Sequence, residues 1–274
     1  MGYKLIAFDL DGTLHDRTSG TPVTNRTKEA IKRVRQMGAE VTIATGRMFN
    51  STLPFCSQLG LIVPIICYQG ALIGDPVTRE VIWERPIPLP LAHRVIRLIE
   101  ETGVSPYVFV RDHFYVRART PRVESYEATL QIESDPVGDL TEHVREAPTK
   151  VVVSGEDRQI DVVVTRVKSR LGPCLSVIKT YSHLCEIGHP EGSKALALKH
   201  LAGQLKVLRE ETVAVGDSPN DVDMIRWAGL GVAMGNAPPE VQRAADLVVR
   251  PASGDGVAQL LEELMARGQI SPLV

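Results

Sequence analysis

The chain predicts an α/β fold: a doubly wound parallel sheet with an α+β module inserted near its middle. Three observations carry this. In the first and last thirds, short and wholly apolar strand-like runs alternate with helical patterns, as in a parallel sheet covered on both faces. In the middle third the β-like runs alternate in polarity instead. Polar clusters recur where the apolar runs of the outer thirds end, which is where open α/β sheets bind ligands.

The elements follow in order. Residues 4–8 form a short apolar strand ending at Asp9. A helix spans about 24–37, with Ala30, Ile31, Val34 and Met37 at helical spacing and Gly38 as terminator. Residues 40–44 are a second strand, 50–59 a helix carrying Pro54, and 62–68 a third strand. In the middle third, 107–110 and 114–117 flank Arg111-Asp112-His113 as a hairpin. Residues 91–101 and 160–171 read as helices, the second despite the β-branched run 162–164. Residues 150–153 and 175–179 are strand-like. The last third resumes the opening pattern: helix 194–202, strand 212–215, helix 221–228, strand 230–233, helix 239–245, strand 247–249 and helix 257–266. These assignments divide the chain into a core of residues 1–84 and 188–274, with the inserted module at 85–187.

Composition bounds the function. With 43% hydrophobic and 23% charged residues, the 274-residue chain is ordinary for a soluble globular protein. A formal net charge of −2 and no Lys/Arg block leave no electrostatic footprint for nucleic acid. The longest apolar runs are far shorter than the roughly 20 residues a membrane-spanning helix needs. Cys56, Cys67, Cys174 and Cys185 form no C-x-x-C pair and read as reduced, mostly buried thiols of a cytoplasmic protein.

Four clusters carry the chemistry. Asp9 and Asp11, two residues apart before Gly12, place like charges so close that they require a cation or perturbed ionisation. An all-oxygen donor set favours Mg²⁺. Thr45-Gly46-Arg47 follows the second strand and offers a hydroxyl and backbone N–H groups suited to phosphate oxygens. Lys194 opens a helix, where a cation is electrostatically unfavourable, so it points to an anionic partner. Asp217, Asn220 and Asp221 follow strand 212–215, and these two carboxylates complete a metal site with Asp9.

Taken together, Asp9-Leu-Asp-Gly-Thr, Ala44-Thr45-Gly46-Arg47, Lys194 and Gly216-Asp217-x-x-Asn220-Asp221 resemble, in order, the four motifs of the haloacid dehalogenase superfamily. The run Gly231-Val-Ala-Met-Gly-Asn-Ala237, then Ala245-Asp246 and Asp255-Gly256-Val257, resembles its Cof-type phosphatases, subfamily IIB. The resemblance implies a Rossmann-like core with a cap of the C2B type. It also implies Mg²⁺-dependent hydrolysis of a small phosphomonoester, such as a sugar phosphate or a phosphoglycolate-like acid. In it Asp9 is the nucleophile that forms an aspartyl-phosphate, and Asp11 is the acid and then the base. Asp9, the Asp11 carbonyl, Asp217 and Asp221 hold the metal, while Thr45 and Lys194 hold phosphoryl oxygens with help from Asn220. A phosphomutase or other phosphotransferase with the same nucleophile, or a non-catalytic binder of a phosphorylated ligand, are the alternatives.

Two departures stand out. Gln69-Gly70 replaces the family's usual Asn-Gly after the third strand, lengthening the arm by one methylene at a position expected to meet substrate. Ala195 replaces the usual glycine after Lys194 and suits a helix better. In the cap, Arg111, His113, Arg117, Tyr181 and His183 are the candidates for contact with the leaving group, and its arginines favour an anionic one.

Overall fold

A computed structural model describes residues 2–16 and 22–273. In chain order the first elements are β1 (Leu5–Phe8), α1 (Asn25–Gln36), β2 (Glu40–Ile43), α2 (Phe49–Leu59), β3 (Ile65–Cys67), β4 (Leu72–Gly74) and β5 (Val81–Glu84). Then come α3 (Leu89–Glu100), β6 (Tyr107–Val110), β7 (His113–Val116), α4 (Pro121–Leu130), β8 (Asp135–Pro136), α5 (Leu140–His143), β9 (Lys150–Ser154), α6 (Asp157–Leu171), β10 (Ser176–Tyr181) and β11 (Leu184–Gly188). The chain continues through α7 (Lys194–Gln204), β12 (Thr212–Gly216), α8 (Val222–Trp227), β13 (Leu230–Ala233), α9 (Pro239–Gln242), β14 (Leu247–Val248) and α10 (Gly256–Ala266).

These elements form two compact units. One contains the chain up to Gly46, Thr52–Trp83 and everything from Ser193 onward; the other contains Arg47–Ser51 and Glu84–Gly192. The first unit is built on a parallel sheet of order β14-β13-β12-β1-β2. An Ala44↔Ile66 bridge carries β3 onto the β2 edge in the same direction. Strand order reverses at β1, which has β2 on one side and β12 on the other, so the switch point lies between β1 and β12. Leu5 and Ala7 face α7 and α8 in one apolar cluster with Leu198, Leu201, Ala214 and Met224. Ile6 and Phe8, equally buried, point the other way. Helices α1 and α10 lie side by side, joined by Arg26–Glu262 at 2.6 Å. Thr24 caps α1 by accepting from the Thr27 N–H.

The second unit is a six-stranded, mainly antiparallel sheet of order β10-β11-β9-β6-β7-β8. Helices α3 and α6 cover one face, through Val95, Ile96, Ile99, Ile160, Val163 and Val167 against Val108, Val151 and Ile187. Residues 162–164 are helical: Val163 packs into that core, and a capping box at Glu156 and Gln159 fixes the start of α6. The other face carries Tyr107 and Phe109, each in ring contact with Phe114. It also holds a buried ion pair, Lys150 Nζ to Glu186 Oε1 at 2.6 Å. Arg111 and Asp112, both at positive φ, make the two-residue turn of the β6–β7 hairpin, and His113 is already in the strand.

Several expectations need adjustment. The third strand is only three residues long, because it begins after Pro64 and the chain turns left-handed at Tyr68. The expected helices 221–228 and 239–245 shorten to α8, preceded by a 3₁₀ turn, and to α9. Strands β4, β5, β8 and β11 and helices α4 and α5 do not follow from periodicity. β4, β8 and α5 are too short to show a period, β5 and α4 are too exposed to carry an apolar one, and β11 is buried along its length and so does not alternate.

Candidate active site

Backbone register brings the sequence clusters together. Phe8 pairs with both Val215 and Ile43 in the parallel sheet, so Asp9, Asp217 and Thr45 all emerge just past aligned strand ends. The Asp9 N–H donates to the Val215 carbonyl at 2.9 Å, the Ala44 N–H to Phe8, and the Thr45 N–H to Ile66. Helix α7, capped by the Ser193 side chain, presents Lys194 from its first turn.

Lys194 is 2% exposed, and its Nζ lies 2.6 Å from Asp9 Oδ1 and 2.7 Å from Asp221 Oδ1. The anionic partner that its position called for is therefore this carboxylate pair. Asp221 is fully buried, and its other oxygen accepts the N–H groups of Asp217 at 3.0 Å and Ser218 at 2.9 Å. Carboxylate oxygens of Asp9, Asp217 and Asp221 lie within 4.8 Å of one another. Asp217 also accepts from the Thr13 hydroxyl at 3.0 Å. Gly12, at φ 92°, leaves no room for a Cβ because the Asp217 carboxylate occupies that space, so glycine is required there.

The electrostatics are lopsided. Burial pushes the Asp9 carboxyl well above the usual carboxylate range; Lys194 pulls it part of the way back, while Asp221 and Asp217 add to the rise. Burial, reinforced by Asp221, lifts Asp217 to about 6. Burial opposes the charge on Lys194, but Asp221 and Asp9 outweigh it and hold its pKa above the ordinary lysine value. Three carboxylates thus share one ammonium group, and the site is short of positive charge. A hard divalent cation fits this all-oxygen cluster on charge and donor type. Asp9, Asp217 and Asp221 are the side chains that would hold it.

The remaining candidates divide. Asn220 donates its Nδ2 to Gln69 Oε1 at 2.7 Å, and Gln69 and Gly70 abut Gly46 and the start of α7 respectively. Asp11 sits in the turn after β1, bridged to His15, and its carboxylate is not a member of the acidic cluster. Arg47 belongs to the second unit. So do Arg111, His113 and Arg117, which pair with acids of that unit: Glu146 at 2.7 Å, Asp135 at 3.5 Å and Glu100 at 3.1 Å. Tyr181 and His183 stack on each other, with ring centres 5.7 Å apart. Burial pushes the Cys56 and Cys185 thiols up to about 12, which leaves them unreactive.

One residue of the site escaped the sequence reading as a functional group. Asn236, in the turn after β13, donates to the Gly12 carbonyl at 2.9 Å and accepts from the Ala252 N–H at 3.0 Å. Its only signal was its place in the Gly231–Ala237 run. Among the described residues no helix is long and apolar enough to cross a membrane.

Comparison with known proteins shows the family. A family profile described as haloacid dehalogenase-like hydrolase matches residues 6–261. The pyridoxal phosphate phosphatase YbhA of Escherichia coli (strain K12) is 30% identical over 271 residues, covering 95% of this chain and 98% of that one. The fold is similar to that of a haloacid dehalogenase-like hydrolase from Bacteroides thetaiotaomicron, with a TM-score of 0.88, 26% identity and coverage of 96% and 99% of the two chains. A subclass IIB sugar phosphatase of the same superfamily superposes with a TM-score of 0.82 at 25% identity, covering 96% of this chain and 99% of its own. A profile match over nearly the whole length and relatives of this identity place the chain among the haloacid dehalogenase-like hydrolases, as an enzyme of their phosphatase branch.

Proposed function

We propose that the protein is a Mg²⁺-dependent phosphatase that hydrolyses small phosphomonoesters in two steps through Asp9. The observation that carries this reading is the convergence of Asp9, Lys194, Asp217 and Asp221, from three distant parts of the chain, at the ends of neighbouring strands. In the first step a carboxylate oxygen of Asp9 bonds to phosphorus, the bond from phosphorus to the leaving oxygen breaks, and Asp11 gives that oxygen its proton. In the second step Asp11 takes a proton from water, the water oxygen bonds to phosphorus, and the bond to Asp9 breaks. Inorganic phosphate leaves and Asp9 is restored.

Lys194 and the Thr45 hydroxyl, with the backbone N–H groups beside it, supply donors for charge on the phosphoryl oxygens. Bound Mg²⁺ would offset the excess carboxylate charge and keep Asp9 ionised as the nucleophile. We read the inserted unit as the cap that selects the leaving group, with Arg111, His113, Arg117, Tyr181 and His183 as its candidates. Related proteins named for pyridoxal phosphate and for sugar phosphates support a small phosphorylated metabolite as the substrate class. The test is phosphate release from a panel of sugar phosphates, phospho-acids and nucleotides with and without Mg²⁺. Metal-dependent release from at least one class is expected; no release from any, with or without metal, contradicts the reading.

A further inference from the structure

Tyr68, Gln69 and Gly70 follow β3 with φ values of 53°, 59° and 94°, three consecutive left-handed residues. Glycine accepts this freely, whereas tyrosine and glutamine are strained there. Such strain persists only where the surroundings over-determine the backbone, and it concentrates at functional sites. The surroundings do so here. The Gln69 N–H donates to the Thr45 carbonyl at 3.0 Å. Gly70 lies so close to the Ser193 backbone and the Lys194 N–H that a Cβ would collide with them. The turn is therefore wedged between the Thr45–Gly46 loop and the first turn of α7.

The Gln69 side chain uses this placement. It is 7% exposed and lies across Gly46, where an added Cβ would strike its amide nitrogen. Its Oε1 accepts from Asn220 Nδ2 at 2.7 Å. One side chain thus ties together the loops after β2, β3 and β12.

We propose that Gln69 is a positioning residue: it fixes Asn220 and the Gly46 backbone for reception of the phosphoryl oxygens, and asparagine at this position is too short to do so. The inference rests on the reading of this site as phosphoryl-binding. It assigns Gln69 to the framework of that site rather than to contact with the leaving group.

The test is equilibrium binding of orthovanadate to the Mg²⁺-loaded full chain, for wild type, Gln69→Asn, Asn220→Ala and the double variant, with a melting curve and a Mg²⁺ titration for each. Losing one neutral hydrogen bond predicts vanadate binding about threefold to tenfold weaker in Gln69→Asn. Mg²⁺ affinity should hold, and the melting temperature should stay or rise, because asparagine tolerates the left-handed region better than glutamine. The double variant should lose less than the sum of the two single losses, because both variants remove the same Gln69–Asn220 contact. Wild-type vanadate affinity in Gln69→Asn, losses that add in the double variant, or a fall in melting temperature and Mg²⁺ affinity together would each overturn the proposal. Wild-type protein that binds no vanadate would instead strike at the phosphoryl site itself.

Discussion

Lys194 and Asp9, 185 residues apart in sequence, meet at 2.6 Å in a buried contact, and the same ammonium reaches Asp221. Removing it takes away the ammonium group that draws Asp9 back toward the ionised form beside Asp217 and Asp221. Breaking a buried pair from one side typically costs about 3–5 kcal/mol. Lys194→Met is therefore expected to lower stability by that order in urea unfolding and to abolish turnover. Near-normal stability together with near-normal turnover would contradict the arrangement.

Asp217 sets a pH dependence. Its pKa is raised from 3.8 to about 6, first by burial and then by Asp221. Between those values the folded, metal-free protein holds a proton that the unfolded chain releases, so its stability falls as pH rises from about 4 to 6. Metal binding needs the carboxylate and must displace that proton, so Mg²⁺ affinity is expected to rise across the same window. Calorimetric Mg²⁺ titrations at pH 5 and pH 7.5 test this; equal affinities at both would count against Asp217 as a ligand.

The proposed roles make Asp11 separable from Asp9. An aryl phosphate with a good leaving group needs little protonation, so the first step survives in Asp11→Asn, while water activation in the second is lost. Stopped-flow measurement with p-nitrophenyl phosphate should show a burst of about one equivalent of nitrophenol, then a steady rate roughly 10²–10⁴ below wild type. Slow release that is linear from the first turnover would assign the base elsewhere.

In the second unit, Lys150 and Glu186 pair at 2.6 Å with both side chains buried, and Thr180 donates to the other Glu186 oxygen. Lys150→Met alone should destabilise by about 3–5 kcal/mol, whereas Lys150→Met combined with Glu186→Leu should recover most of that loss. Thermal melting of the two variants and wild type checks this. A double variant no more stable than the single one would show that the pair is not what the fold depends on.

The legible part of the molecule was the part in which local chemistry and position coincide. Asp9, Asp11, Thr45, Lys194 and Asp217 stand out because each follows an apolar strand or opens a helix, and strand register then brings Asp9, Thr45 and Asp217 to one edge. Side-chain contacts between loops were not legible. Nothing in the spacing says that Gln69 reaches Asn220 across 151 positions, or that Asn236 reaches back to Gly12. The Lys150–Glu186 pair was hidden for the same reason, since a lysine at a strand start ordinarily reads as solvated. Helix α4, with a Thr120 cap and Pro121 at its first turn, carried local start signals. Its weak apolar stripe gave the periodicity nothing to confirm them.

The proposed hydrolysis stands or falls on covalent phosphorylation of Asp9. Acid-quenching the Asp11→Asn variant during turnover of a radiolabelled aryl phosphate, followed by peptide mapping, measures this directly. The label is expected on the peptide containing Asp9, is lost on treatment with hydroxylamine, and is absent from Asp9→Asn. Label on another residue, or turnover by Asp9→Asn at the wild-type rate, would contradict it.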